Sequence, residues 1–307
     1  MVSKIVNVLA IACMCMLNAT SYAAEEEREL VINPDIGRGG EPILEEKPDE
    51  FRVCADKDNL PYSNDRFEGF ENKIAELIAS DLGKKVTYQF WYDRIGFLRN
   101  TLNARRCDVV IGTVDGNDAV RTSKPYYRSG YAFVYRKNSG FNITDWDSPD
   151  LHKGKIGVVG QTPPTRPMYD KGLMDNARPY RIMRDLNLPP SFIIDDLVKG
   201  DIDIAILWGP IAGYYAKKAS IPLVVVPAPE YEAENVHGKE YWNISVGVRK
   251  KDKERIAQID EVLQRRAKDI DKILDDYGIP HVPVVLGDRV EKKPLTEKRG
   301  DAIPKFE

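Results

Sequence analysis

Four cysteines, three histidines and a few acidic residues near turns are the side chains from which this 307-residue sequence could build chemistry. Cys13 and Cys15 fall inside an N-terminal apolar stretch, whereas Cys54 and Cys107 lie beyond it. Neither of the latter has a CxxC partner or a nearby histidine. His152, His237 and His281 are far apart in the sequence, so no zinc-type ligand set can be read. Asp56, Asp58 and Asp115 could hold a hard cation, but no EF-hand-like loop accompanies them, and solvated turn carboxylates explain them more simply. Glu68 and Glu71, at the start of a helical pattern, are the natural acid–base candidates of any catalytic site. Carboxylates there equally serve the helix dipole. The sequence contains no Gly-x-Ser-x-Gly elbow, His-Glu-x-x-His pair, phosphate loop or dinucleotide fingerprint. The expectation is a protein with no catalytic residues, no metal and no cofactor.

The elements that must position these residues begin with a leader. In residues 1–23, Lys4 supplies a positive start, Ile5 to Leu17 an apolar stretch, and Ser21-Tyr22-Ala23 a small-x-small cleavage site, the pattern of a secretory signal. The apolar part is shorter than the roughly 20 residues a membrane span needs. Once it is removed, Cys54 and Cys107 are the only cysteines, and an oxidising compartment favours a pair over free thiols. Residues 24–50 carry ten acidic and three basic residues, a net charge of -7. This segment reads as an arm, either a solvated leader or a segment that orders on a partner.

From Phe51 onward strands and helices alternate. Strands are expected at Phe51–Ala55, Val86–Trp91 and Cys107–Gly112. Helices are expected over Phe70–Leu82, stopped by Gly83, and around Ile95, Phe97, Leu98 and Leu102. A second unit follows, with strands at Gly130–Arg136, Lys155–Gly160, Asp203–Trp208, Leu223–Pro227 and Asn243–Arg249. Helices fall around Arg166–Lys171 and Ser191–Lys199, and a long amphipathic stretch runs from Ile256 to Leu274. Such alternation argues for parallel strands with right-handed crossovers. A composition that is 42% apolar and 30% charged, with a net charge of -3, excludes a membrane bundle and a general nucleic-acid binder.

Four segments in order carry a resemblance. Gly69 through Ala75, Asn100 through Gly112, Ser123-Lys124-Pro125-Tyr126-Tyr127 and Val198 through Ala205 resemble the family 3 periplasmic solute-binding proteins over roughly residues 51–285. A narrower set is similar to the quinoprotein-dehydrogenase-associated binding proteins of the MxaJ/XoxJ type. It comprises Arg52-Val53-Cys54-Ala55-Asp56, Asn59-Leu60-Pro61-Tyr62-Ser63-Asn64, Arg106-Cys107-Asp108-Val109-Val110 and Ile273 through Pro280. The resemblance implies an α/β, bilobal, type II periplasmic-binding-protein fold, two lobes joined by a two-strand hinge around a central cleft. Lobe 1 would be 51–135 with 245–286, lobe 2 136–244, and a polar tail 287–307. It implies a periplasmic location, Cys54 and Cys107 on neighbouring parallel strands and so bridged, and an accessory role beside a PQQ-dependent methanol or alcohol dehydrogenase. The alternatives are an ABC-importer receptor for an unknown non-amino-acid small molecule and a hydrolyase-type enzyme on the same fold.

The departures from the family pattern matter most. Amino-acid binders of this family clamp the ligand carboxylate with an arginine, since a guanidinium can bind it bidentately. The corresponding position here falls at Gly116, beside Asn117 and Asp118, and Arg121 is out of register. The second-lobe acid that pairs with the ligand ammonium falls at Trp208. Common amino acids are therefore not expected to bind. What replaces the charged anchors is aromatic and mostly neutral polar. The cleft candidates are Asn59, Tyr62, Trp91, Arg94, Thr113, Tyr126, Gln161, Thr162 and Trp208. The rule that ligands meet the C-terminal ends of strands in open α/β sheets supports Asn59, Thr113 and Gln161. Trp91, Tyr126 and Trp208 could equally fill lobe cores.

Overall fold

A computed structural model describes residues 47–181, 188–231 and 240–287. The leader, most of the acidic arm and the polar tail from 288 lie outside the described residues. No helix among the described residues is long and apolar enough to cross a membrane.

The chain opens with β1 (Glu50–Ala55), buried from Phe51 to Ala55, as suits a strand covered on both faces. A two-residue hairpin follows, β2 (Asp58–Asn59) and β3 (Ser63–Asn64). In α1 (Phe70–Asp81), Phe70, Ile74, Ala75, Ile78 and Ala79 form the buried stripe. The helix ends where Gly83 takes φ +64, a left-handed value that favours glycine. Next come β4 (Lys85–Phe90), the four-residue α2 (Phe97–Asn100), β5 (Val109–Val114), β6 (Arg121–Thr122) and the long β7 (Tyr127–Arg136). The second lobe adds β8 (Ile156–Val159), α3 (Thr165–Asp170), β9 (Ala177–Tyr180), α4 (Phe192–Lys199), β10 (Ile204–Trp208), α5 (Gly209–Lys218) and β11 (Leu223–Pro227). The chain returns through β12 (Tyr241–Val248) to α6 (Lys253–Arg265) and α7 (Ala267–Asp276).

Strand order is β4-β1-β5-β12-β7-β10-β8-β9, with β6 on β12 and β11 on β7. β1 pairs in parallel with β4 and β5, and β8 pairs in parallel with β9 and β10. β7 joins the two halves. Tyr127 to Gly130 pair antiparallel with β12, whereas from Tyr131 onward the strand pairs with β10 and, from Ala132, also with β11. β7 and β12 are thus the antiparallel two-strand connection between two α/β lobes. Separate apolar clusters fill them: one around Phe70, Ile74, Val246 and Ile259, others around Phe133 and Ile156 and around Val134 and Leu197.

The short strands β2, β3, β6 and β9 have no counterpart among the expected strands, and three further elements differ. The helix around Ile95 to Leu102 shrinks to α2, because Gly96 at φ +92 breaks the backbone before Phe97 and Thr101 leaves the helical region. Ile95 consequently points outward, 93% exposed, while Leu102 is buried. The long C-terminal stretch is two helices, interrupted at Arg266. Helix α5 has no counterpart in the sequence reading, since Gly209, Pro210 and Gly213 depress helix propensity. Its glycines are explained by packing. A Cβ on Gly213 would fall 1.9 Å from the Gly278 carbonyl oxygen, and one on Gly209 2.6 Å from that of Gly130.

Candidate functional site

Where the C-terminal end of β1 meets the N-terminus of α1 and the start of α5, a cavity of about 140 Å³ opens between the lobes. Its polar wall is Asp56, Asn59, Tyr62, Ser63, Glu71 and Asp93, and Phe97, Gly112, Tyr127, Trp208 and Ile244 contribute to the rest. No lysine or arginine is among the lining residues.

Local structure fixes each carboxylate differently. The carboxylate of Asp56 accepts the backbone N–H groups of Asp58 at 2.8 Å and Asp93 at 2.7 Å, so it ties the loop after β4 to the end of β1. Ser63 braces the same turn, donating its hydroxyl to the Asp56 carbonyl at 2.8 Å. Glu71 occupies the first turn of α1, where the Phe70 and Glu71 N–H groups already donate to the Pro61 and Tyr62 carbonyls. That close approach requires Gly69, whose Cβ would lie 2.0 Å from the Tyr62 carbonyl oxygen. The Glu71 carboxylate rests directly on Gly112, where a Cβ would meet Oε1 at 1.9 Å. Burial, and then the charge of Asp93, push the Glu71 carboxyl up to about 8. Asp93 is raised too, by burial and by Asp56. At neutral pH Glu71 is mainly protonated and can donate a hydrogen bond into the cavity.

The lobes close over this cavity with their own side chains. Trp208 and Tyr62 both line the cavity, and burial pushes the ionisation of the Tyr62 hydroxyl well up. Tyr131 packs edge-on against Trp208 at 5.6 Å. Beside the cavity, Tyr215 of α5 donates to the Leu60 carbonyl at 3.0 Å, and Tyr214 stacks on Tyr277 at 5.9 Å.

Of the sequence candidates, Asn59, Tyr62 and Trp208 line the cavity, whereas Thr162 does not and donates its hydroxyl to the Val159 carbonyl at 2.6 Å. Tyr126 donates to the Ile111 carbonyl at 3.1 Å, behind the wall. Thr113 accepts from Asn117 at 2.9 Å. Trp91 packs on the apolar cluster around the disulfide, with Arg106 over its ring, while Arg94 and Gln161 are exposed. Arg121 turns away and donates to the Lys250 carbonyl at 2.9 Å. Asp115 accepts from Thr122 at 3.2 Å, and Glu68 sits exposed with Asn64 and Arg66. Asp93 was not anticipated as a wall residue. Gly112 and Glu71 stood in quoted motifs, and a glycine ending an apolar strand opposite a helix-start carboxylate was the available signal.

Beside the cavity, Cys54 and Cys107 form a disulfide with a Cα–Cα distance of 5.4 Å. Next to it Asp108, 2% exposed, accepts a bidentate pair from Arg52 at 2.7 and 2.9 Å and a further bond from Arg249 at 2.5 Å. The guanidinium contacts of Arg52 and Arg249 outweigh burial and hold its carboxyl below the usual range.

Two lobes on a β7–β12 connection with a walled cavity between them define a binding protein of the type II periplasmic class. Residues 51–280 match the bacterial extracellular solute-binding proteins, family 3, and the chain belongs to that family. It is 30% identical over 296 residues to Protein MoxJ of Methylorubrum extorquens, an alignment covering 90% of this chain and 92% of MoxJ. Among solved structures it is similar to MxaJ from Methlophaga aminisulfidivorans, with TM-score 0.68 and 30% identity over 76% of this chain and all of that one. It is also similar to the periplasmic binding protein XoxJ from Methylobacterium extorquens, with TM-score 0.65 and 33% identity over 76% of this chain and all of XoxJ.

Proposed function

We propose that this chain is a non-enzymatic periplasmic accessory protein, exported by a cleavable leader, that docks on a PQQ-dependent methanol or alcohol dehydrogenase. The observation that carries the proposal is the cavity wall: Asp56, Glu71 and Asp93 face it, Trp208 closes it, and no cation lines it. An amino-acid carboxylate entering this space would be desolvated without a compensating charge, which is costly. Kinship with MoxJ and XoxJ, together with the dehydrogenase association that the MxaJ/XoxJ resemblance implies, supports this choice of partner.

The test is surface-plasmon measurement of the mature protein on immobilised cognate dehydrogenase at two salt concentrations. Saturable binding is expected, and its absence at both salts overturns the accessory role. A receptor for a small neutral polar solute is a second reading, favoured by the hydrogen-bonding groups Asn59, Ser63 and Glu71 on the wall. Thermal-shift measurement separates the two. None of the twenty common amino acids should stabilise the protein, and a saturable micromolar response to any of them would refute the argument from the missing clamp.

A further inference from the structure

The sequence from Arg94 to Cys107 contains four arginines and no acidic residue, within a protein of net charge -3. The structure turns this run into a face. At its centre Ile95 is 93% exposed, lifted off the surface by the left-handed Gly96. Trp91 and Tyr92 flank it, half-buried, and each carries cations on its ring. Arg106 lies 5.6 Å from the Trp91 ring, and Lys57 and Arg94 lie 4.7 and 5.8 Å from that of Tyr92. The Arg99 guanidinium sits beside Gly96.

Acidic residues border the face. Asp93, exposed, also lines the cavity, Asp56 is buried on backbone amides, and Asp65 acts on Lys57.

Exposed isoleucines are ordinary when single. Here the exposed side chain stands in a chain segment of arginines that follows Trp91 and Tyr92, residue types enriched at protein interfaces. The surface is also held before any partner arrives. The Cys54–Cys107 disulfide closes the segment at its base, and the Asp56 carboxylate pins the backbone of Asp93. Pre-organisation of this kind lowers the entropic cost of association.

We propose that this face is the docking surface for the dehydrogenase, with Ile95 as the apolar anchor and Arg94, Arg99, Arg106 and Lys57 as a basic ring. The occupant is an acidic surface of a folded protein, with an apolar socket for Ile95. The assignment rests on the accessory role proposed above.

The experiment measures dehydrogenase binding by full-length wild type, Ile95→Ser, the double variant Arg94→Glu/Arg99→Glu, and Tyr169→Ser, an exposed residue of lobe 2, as control. Circular dichroism and melting of each variant should match wild type, because these side chains are exposed. Ile95→Ser is expected to weaken binding about tenfold or more, mainly by faster dissociation. The charge reversal is expected to slow association and flatten its salt dependence. Tyr169→Ser should bind as wild type does.

Wild-type binding that both lobe 1 variants retain overturns the surface and leaves the accessory role standing. No wild-type binding overturns the accessory role itself. Sedimentation velocity of the chain alone covers the remaining occupant. A dimer that Ile95→Ser dissolves would assign the face to a second copy and overturn the proposal.

Discussion

Glu71 makes a sharp prediction because its environment penalises one protonation state. In the unfolded chain its carboxyl titrates near 4.5, and in the folded protein at about 8, through burial and then the charge of Asp93. Between those values the folded protein keeps a proton that the unfolded chain has released. Stability is therefore fully present below the unfolded value and is lost as pH rises toward the folded one. The loss is about 1.4 kcal/mol for each unit of pH. By pH 7 the accumulated cost is at most roughly 3 kcal/mol. Glu71→Gln keeps the shape against Gly112 and removes the titration. The variant should match wild type near pH 4 and gain on it steadily up to about pH 8.

The assay is urea unfolding of both proteins at unit steps of pH, compared at equal m-value. Asp93→Asn serves as an internal check. It removes the like charge facing Glu71, so it should lower the folded titration point and make the wild-type slope end at a lower pH. Parallel stability curves for wild type and Glu71→Gln across this range would refute the argument that burial governs this carboxyl.

Two further outcomes follow from the packing. Replacing both Cys54 and Cys107 by serine opens a loop with a sequence separation of 53 and should cost about 4 kcal/mol on the chain-entropy account, read from denaturant midpoints. Thiol titration of unfolded, unreduced mature protein should find no free thiol, and two would refute the bridge. Gly213→Ala drives a methyl group into the Gly278 carbonyl and should cost roughly 1–3 kcal/mol by overpacking. An unchanged melting temperature would mean that α5 can shift freely against the C-terminal segment.

How far the site could be read from sequence depended on which interactions set each residue. The strand that carries Gly112 and the helix start that carries Glu71 were legible, because short motifs and apolar periodicity mark both. Trp208 was found by counting from Asp203 along one strand, where backbone geometry keeps register. Asp93 was not found, since a loop after an edge strand has no periodicity and its direction depends on an Asp56 hydrogen bond 37 residues away. The spacing of Ile95 to Leu98 and Leu102 is helical, but the left-handed Gly96 overrides that pattern. Helix α5 escaped for the opposite reason. Its glycines are poor in an isolated helix and necessary in this one, where tertiary packing against Gly130 and Gly278 overrides intrinsic propensity.

That packing bears on function, because one stretch of chain does two jobs. Trp208 ends β10, lines the cavity and is also the residue from which α5 starts. Seven residues later Tyr215 reaches the Leu60 carbonyl, and Tyr214 is buried in the core of lobe 1 against Tyr277. Ser129 adds a hydroxyl bond to the Pro280 carbonyl at 2.5 Å, and Lys217 caps the carbonyl of Asp276 at 2.8 Å. Opening the cleft would therefore disturb a helix anchored by buried aromatic rings and fitted glycines. These contacts are made by the chain's own side chains, so a solute that changed the cleft would have to bind one arrangement of the lobes more tightly than the other. An accessory protein recognised by its outer surface, as proposed above, needs no such shift.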